Sequence, residues 1–278
     1  MLRNLFAMMV AVLTLGCFPW RAPDRVPEFT SPEQAQASDS DRKFLNLHDQ
    51  GLTNAPAGIS AIEGLTRLSL RKNTLTNPGK ALSGLIDLVW LDIANMGLAT
   101  FPEEINDLSA LETLYASGNA ITAIPSSLCQ RERLTYLNLD HNQVASVPDA
   151  ISGLNALKWL RLNSNKLSAL PESMGELTNL QRLYVRDNQI TELPSVMASM
   201  ESLTDLSLSG NPLKSLPAVL FEMPNLRRLD LERAGITSLP EELSGLSGLE
   251  WLKLGGNTIS ADDRERLRMA LPTCEIVF

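Results

Sequence analysis

A leucine-rich pattern with a period of 23 residues runs through most of this 278-residue chain. One copy, Leu134 to Ala156, reads LTYLNLDHNQVASVPDAISGLNA, and most copies follow LxxLxLxxNxLxxLPxxLxxLxx. Ten copies align without an insertion or a deletion, and they begin at Arg42, Leu65, Leu88, Leu111, Leu134, Leu157, Leu180, Leu203, Leu226 and Leu249. A regular period of this length indicates a solenoid, in which each repeat packs only against its neighbours.

Each repeat position has a physical reading. Leucines at positions 4 and 6 predict one short parallel strand per repeat, with the leucines inward and the intervening side chains outward. Proline at position 15, as in Pro148, predicts the start of a helical turn on the opposite side. Asparagine at position 9, as in Asn142, can bond to backbone groups left unpaired after the strand. We predict an α/β fold, a horseshoe-shaped solenoid with a concave parallel β-sheet and short helical or irregular convex segments.

These motifs resemble the leucine-rich-repeat family in its 23-residue LPxxLxxL form, which is found in bacterial proteins and in Ras-binding and plant intracellular scaffolds. The resemblance covers residues 42–271 as ten repeats. Residues 262–278 leave the pattern and are expected to form a C-terminal cap, because a solenoid must cover its last open core. The resemblance implies a recognition module for proteins that has no enzymatic activity.

The N-terminus has the pattern of an export signal. Residues 1–17 carry Arg3, then an apolar run that is too short to span a bilayer, and they end in the lipobox-like Leu13-Thr14-Leu15-Gly16-Cys17. This resemblance to bacterial lipoproteins predicts lipidation at Cys17 and an outer-membrane lipoprotein in the cell envelope; the alternative is cleavage nearby and secretion. Residues 18–41 are rich in Pro, Ser, Gln and acidic residues, which predicts a flexible linker.

Composition excludes several classes of function. The formal charge of -8 argues against a nucleic-acid partner. Cys129 and Cys274 lie about six strand spacings apart, roughly 29 Å, so we expect two free, buried thiols rather than a disulfide. The sequence has no GxxxxGK, HExxH or GxSxG motif, and its two histidines, His48 and His141, are too far apart to form a zinc site together. We predict no enzymatic activity, no cofactor and no metal.

The candidate binding residues lie in two columns on the outward face of the sheet. Repeat positions 3 and 5 hold all three tyrosines and three of the four tryptophans, together with several arginines. Trp, Tyr and Arg dominate binding hot spots because they combine a large contact area with a polar group. The densest part of these columns is the predicted binding site: Trp90, Tyr115, Tyr136, Trp159, Arg161, Arg182, Tyr184 and Arg186.

Three interpretations of this face remain open from the sequence. The first is an envelope-anchored or secreted module that binds a protein or peptide ligand on its concave face. The second is a glycan-binding or cell-wall-binding protein that uses Trp and Tyr rings as stacking platforms. The third is a structural envelope protein in which neighbouring aromatic residues only stabilise the sheet, by about 0.2 to 1 kcal/mol per pair.

Overall fold

A single parallel β-sheet organises the chain. The computed structural model describes residues 26–278, and within that range it has one twelve-stranded sheet whose strands pair in chain order. The strands are β1 (Glu28–Phe29), β2 (Lys43–Asn46), β3 (Leu65–Ser69), β4 (Trp90–Asp92), β5 (Thr113–Tyr115), β6 (Tyr136–Asn138), β7 (Trp159–Arg161), β8 (Arg182–Tyr184), β9 (Asp205–Ser207), β10 (Arg228–Asp230), β11 (Trp251–Lys253) and β12 (Glu275–Val277). The predicted leucine-rich-repeat solenoid is confirmed.

The register of the strands follows the sequence repeat. Tyr136 pairs with Trp159 and Trp159 with Arg182, so that residues at the same repeat position lie side by side on adjacent strands. Leu137 and Leu160 lie between these outward residues and are fully buried, because alternate side chains of a strand point to opposite faces. The core is therefore a continuous stack of inward leucines, as the pattern predicted.

The other side of each repeat is a short helical turn. Within residues 26–278 the 3₁₀-helices are Ile59–Ala61, Pro78–Ala81, Glu103–Asp107, Leu128–Gln130, Asp149–Gly153, Glu172–Glu176, Ser195–Ser199, Ala218–Glu222 and Ser244–Leu246. Pro102, Pro148, Pro171, Pro194 and Pro217 directly precede five of them, with φ near the value that the proline ring imposes. The expected role of position-15 proline at the start of a turn is confirmed for these five.

Residues 26–41 differ from the expected flexible linker. Phe29 in β1 pairs with Leu45 in β2, and helix α1 (Pro32–Gln36) follows, with Ala35 fully buried. Ser31 caps α1 by accepting a hydrogen bond from the Gln34 N–H, and Pro32 occupies its first turn. This segment shields the inward leucines at the start of the array. Residues 1–25, with the predicted signal and Cys17, lie outside the described residues.

At the other end of the array, a helix and a strand cover the core. Helix α2 (Ala261–Ala270) starts at Ser260, whose hydroxyl accepts a hydrogen bond from the Asp263 N–H, and it buries Leu267. Strand β12 then pairs with β11. Cys129 is a free, buried thiol as expected, whereas Cys274, also free, is partly exposed because it precedes the edge strand. No helix within residues 26–278 is long and apolar enough to cross a membrane.

Within residues 26–278, a ladder of seven asparagines joins the repeats that carry them to the repeats before them. The Nδ2 of Asn165 donates to the carbonyls of Leu139 and Leu162, at 2.9 and 3.0 Å, and its Oδ1 accepts from the Val144 N–H at 2.9 Å. Asn142 and Asn188 make the same set of bonds one repeat away. Each side chain therefore satisfies buried backbone groups in two repeats. The structural role expected for these asparagines is confirmed.

Three repeats without this asparagine use a different backbone. Gln50, Met96 and Ala234 occupy position 9, and each is followed by a glycine with φ of 64° to 72°. Glycine adopts this left-handed conformation without strain. In each of these repeats the N–H of the position-9 residue donates to the asparagine of the next repeat, as the Met96 N–H does to Asn119 Oδ1 at 2.9 Å. These repeats are therefore bonded to the following repeat, but they supply no asparagine bond to the repeat before.

A second set of polar side chains, at repeat position 5, closes the turn after four of the described strands: Asn46, Asp92, Asn138 and Asp230. Asn138 Oδ1 accepts from the Asp140 N–H at 2.9 Å, and Asp92 Oδ1 accepts from the Ala94 N–H at the same distance. Burial raises the pKa of the Asp92 carboxyl, and the Ala94 hydrogen bond and the charge of Arg71, 3.9 Å away, offset this only in part. The buried, ionised carboxylate of Asp92 therefore lowers the stability of the folded protein.

We expect Asn165→Ala to lower the free energy of unfolding by about 2 to 4 kcal/mol, because it leaves several buried backbone groups without partners. Urea denaturation of the two proteins measures the difference. Asn155→Ala is the matched control, since the side chain of Asn155 is exposed, and it should change stability by less than about 0.5 kcal/mol. Equal effects of the two substitutions would show that the ladder contributes no stability.

We expect Asp92→Asn to stabilise the protein increasingly as the pH rises. An amide can accept the same Ala94 hydrogen bond, as Asn138 does for Asp140. The folded wild type binds its Asp92 proton more tightly than the unfolded chain does, so its stability falls as pH rises from 3.8 through the raised pKa. Urea denaturation between about pH 4 and pH 7 should show a growing difference between the two proteins. A constant difference, equal to that of the exposed control Asp87→Asn, would contradict this account.

Candidate functional site

The sheet places the predicted site residues in two adjacent columns on its concave face. Tyr136, Trp159 and Arg182 follow one another in register across β6, β7 and β8. Arg161 and Tyr184 follow in the second column, two residues further along the same strands. Neighbouring strands lie about 4.8 Å apart, close enough for ring and guanidinium stacking from one repeat to the next.

Four aromatic rings form a continuous row across β4 to β7. The ring centroids of Trp90 and Tyr115 are 5.6 Å apart, those of Tyr115 and Tyr136 are 4.8 Å apart, and those of Tyr136 and Trp159 are 6.0 Å apart. Tyr115 belongs to the second column, but the small Thr113 beside it in the first column lets its ring bridge to Tyr136. These centroid separations lie in the range of favourable aromatic pairs.

A guanidinium group stacks at each end of this row. Arg67 Cζ lies 4.9 Å from the Trp90 ring centroid and 4.8 Å from that of Phe44, while Arg182 Cζ lies 3.9 Å from the Trp159 ring centroid. Cation–π contacts of this kind contribute about 0.5 to 2 kcal/mol each. We define the stacked strip as the whole row: Phe44, Arg67, Trp90, Tyr115, Tyr136, Trp159 and Arg182.

Tyr136 differs from the other predicted contact residues because it is buried. Its exposed fraction is 4%, whereas Trp90, Tyr115 and Trp159 are partly exposed. Burial raises the pKa of the Tyr136 hydroxyl well above its ordinary value, and the hydroxyl lies within 3.4 Å of Asn138 Nδ2. The sequence predicts that Tyr136 contacts a ligand directly. In the structure its buried ring packs against the rings of Tyr115 and Trp159.

Arg161 is held from within the protein. Its Nε donates to Asp140 Oδ2 at 2.7 Å, and its Nη2 lies 2.5 Å from the same oxygen. Asp140 is buried and also accepts a hydrogen bond from the Asn163 N–H. The guanidinium Cζ of Arg161 lies 5.6 Å from the Tyr184 ring centroid, so that this pair fixes the position of Tyr184 beside the stacked strip.

Beyond Arg182, the concave face changes from aromatic to ionic. Asp205 lies between two arginines, 3.8 Å from Arg182 Nε and 3.2 Å from Arg228 Nη1. Arg186 Nε lies 4.0 Å from Asp230 Oδ2, which also accepts a hydrogen bond from the Ser207 hydroxyl. The alternating charges of Arg182, Asp205 and Arg228 along the first column are therefore paired with one another.

The structure thus divides the predicted site into three parts. Trp90, Tyr115, Trp159 and Arg182 present partly exposed groups along the strip, Arg161 and Tyr184 lie beside it, and Arg186 belongs to the ionic part. Residues that the sequence prediction left out of the site complete it: Phe44, Arg67, Asp140, Asp205, Arg228 and Asp230. Most of these residues stand at repeat positions 3 and 5, so a prediction that took in the whole of both columns would have included them.

The side chains of the described residues set what the concave face can offer a ligand. Within residues 26–278, no group of three or more His, Cys, Asp or Glu side chains could hold a metal ion. Burial raises the pKa of the Cys129 thiol to about 11, so that it is protonated and unreactive at neutral pH. The groups that the concave face offers are exposed ring area, guanidinium donors and a few charges.

Comparisons with known proteins agree with this fold. The model of a leucine-rich repeat region matches residues 128–219, and a leucine rich repeat model matches residues 201–259. No curated protein matches the sequence significantly. A solved leucine-rich-repeat protein of Leptospira interrogans is 23% identical, with 90% of this chain and 99% of that chain covered. Its TM-score is 0.36, so the two structures superpose poorly.

Two plant structures are similar in fold. The plant peptide hormone receptor RGFR1 in complex with RGF2 is 23% identical over 90% of this chain, with a TM-score of 0.67. The leucine-rich-repeat ectodomain of the receptor kinase GASSHO1/SCHENGEN3 from Arabidopsis thaliana, in complex with CASPARIAN STRIP INTEGRITY FACTOR 2, is 22% identical over 90% of this chain, also with a TM-score of 0.67. The chain spans 41% and 34% of the lengths of these two structures. Together with the parallel-sheet solenoid, this likeness shows a leucine-rich-repeat fold, and the repeat models match it over residues 128–219 and 201–259.

Proposed function

We propose that this chain is a non-enzymatic binding module that recognises a protein or peptide on its concave face. The observation that supports this most directly is the stacked strip, in which Trp159 and Trp90 present partly exposed rings on a row of seven contacting side chains. Rings that are already held in place lose little conformational entropy when a ligand covers them. Exposed aromatic area that is contiguous and polar at its rim is typical of a binding surface.

The direction of the strip also suits a polypeptide ligand. From Arg67 on β3 to Arg182 on β8 it crosses five strand spacings, about 24 Å, which is the length of about seven residues in an extended chain. Arg182 at one end and Arg67 at the other supply donors for backbone carbonyls or acidic side chains. The two plant receptors of similar fold are in complex with RGF2 and with CASPARIAN STRIP INTEGRITY FACTOR 2, and we extend this kind of partner to the present chain as part of the proposal.

We expect Trp159→Ala to weaken binding of a captured ligand by more than about 1 kcal/mol, because it removes the ring against which Arg182 and Tyr136 pack. The full chain serves as bait in extracellular and envelope extracts, and the affinity for the captured ligand is then measured with purified components. Tyr136→Ala is less informative, since a buried ring that is removed changes packing as well as binding.

Ile86→Ala is the control for this experiment. Ile86 is also an exposed apolar side chain, with an exposed fraction of 55%, but it precedes β4 and lies outside the two columns of the concave face. Retention of ligand by the Trp159 variant, or equal losses in both variants, would contradict the proposed site. Capture of polysaccharide in place of protein, with competition by soluble glycan, would favour the glycan-binding alternative.

We also propose that the protein is exported and acylated at Cys17, on the strength of the lipobox-like end of residues 1–17. Expression in a Gram-negative host with labelled palmitate should label the wild type and leave Cys17→Ala unlabelled. The diacylglycerol that a lipobox implies at Cys17 carries two acyl chains, enough for stable anchoring, so the wild type should be recovered with membranes and the variant should not. Equal labelling of both proteins would overturn this proposal.

A further inference from the structure

The ionic part of the concave face is layered, with carboxylates below and guanidinium groups above. Asp205 and Asp230 are buried, with exposed fractions of 7% and 8%, whereas the Arg228 side chain is 50% exposed. Arg182 and Arg186 are also partly exposed. We call Arg182, Arg186 and Arg228 the arginine patch. A ligand that approaches this patch meets guanidinium groups before it meets the carboxylates.

The arginine patch carries more positive charge than the carboxylates beneath it neutralise. Three guanidinium groups face two carboxylates, which leaves one net positive charge on a protein whose formal charge is -8. The acidic groups nearby have cations of their own: Asp187 lies 3.6 Å from Arg233, and Glu232 lies 3.9 Å from Lys253. The excess therefore remains with the patch and adds to the exposed Lys158 next to Trp159.

Several donors of the patch are left for a ligand. The Arg182 and Arg186 ion pairs, at 3.8 and 4.0 Å, are longer than hydrogen bonds. Arg228 donates to Asp205 through Nη1, and half of its side chain is exposed. Carboxylates match the forked geometry of guanidinium groups best among the acceptors of polypeptides.

The arginine patch lies beside the apolar end of the stacked strip. Arg182 belongs to both, since its guanidinium stacks on Trp159 and its Nε faces Asp205. Trp159 is one strand away from Arg182 and three strands away from Arg228, which correspond to about 4.8 and 14 Å. In an extended peptide, these distances correspond to one to about four residues.

We propose that the partner segment is acidic, with an apolar or aromatic residue on Trp159 and an Asp or Glu, one to about four residues away, on the arginine patch. This inference rests on the proposed function, and it names the chemistry of the ligand. Polyphosphates fit less well, because the buried Asp205 and Asp230 and the negative charge of the whole chain repel a dense polyanion. Neutral glycans make no use of the excess charge.

Selection of random 12-residue peptides displayed on phage, with the immobilised full chain as target, tests this proposal. We expect the selected peptides to be enriched in Asp or Glu one to four positions from an apolar residue. The best peptide is then compared with a version in which Asn and Gln replace its acidic residues. The acidic peptide should bind about tenfold more tightly, as expected for one charged hydrogen-bonded contact.

Substitutions in the chain place the contact. Arg228→Gln should reduce affinity for the acidic peptide about tenfold and leave affinity for its amide version nearly unchanged. Arg182→Gln should weaken the acidic peptide more than its amide version, and it should weaken both, because Arg182 also stacks on Trp159. Each variant leaves Asp205 with one arginine, so that the fold retains a partner for the buried carboxylate. Arg71→Gln is the matched control, since Arg71 pairs with Asp92 at 3.9 Å near the other end of the face, and it should change neither affinity more than about twofold.

The outcomes separate this inference from the proposed function. Selected peptides without acidic enrichment, which still require Trp159, would overturn the acidic ligand and leave the binding site in place. An acidic preference that survives in both arginine variants would overturn the assignment to the patch. Failure of the wild type to retain any peptide, while polysaccharide binds, would overturn the acidic partner together with the proposed peptide-binding function.

Discussion

The hydrogen bonds of the asparagine ladder are the constraint on which the rest of the structure depends. Asn165 links its own repeat to the preceding one through buried backbone groups, and its counterparts repeat these bonds along the sheet. Because these bonds fix how each repeat lies on the last, residues at one repeat position form straight columns. On the concave face, aromatic rings on adjacent strands therefore lie next to one another, and so do charged side chains.

This order gives the concave face two properties that a binding surface needs. The side chains of the stacked strip hold one another in place, since Tyr136 lies between Tyr115 and Trp159 while Arg182 covers the far side of Trp159. The charged side chains are layered, because carboxylates such as Asp205 are buried beneath arginines that reach solvent. The first property lowers the entropic cost of binding, and the second sets the sign of the charge that a ligand meets.

The period alone predicts the strands, the inward leucines, the asparagine bonds and the columns that hold the site. It does not predict how exposed each side chain of a column is to solvent. Tyr136 is buried because the Tyr115 ring lies across it, in the space beside the small Thr113. The burial of Tyr136 therefore depends on residues 21 and 23 positions earlier in the chain. The backbone conformation at repeat position 8 is also not predictable from the residue type. His141 and Ser164 adopt a positive φ there, although neither is a glycine. Residues 26–41 were misread because a short capping segment has no repeat, although Ser31 and Pro32 marked its helix.

Hydroxyl-radical footprinting of the chain with and without its bound ligand is the most direct test that the stacked strip is the binding surface. Oxidation of Trp159, Trp90 and Tyr184 should fall when the ligand is bound, because their partly exposed rings become covered. Oxidation of Met269, which lies in the C-terminal helix and has an exposed fraction of 75%, should stay the same. Unchanged oxidation of Trp159 in the saturated complex would contradict the account, since the ligand would then lie elsewhere on the protein.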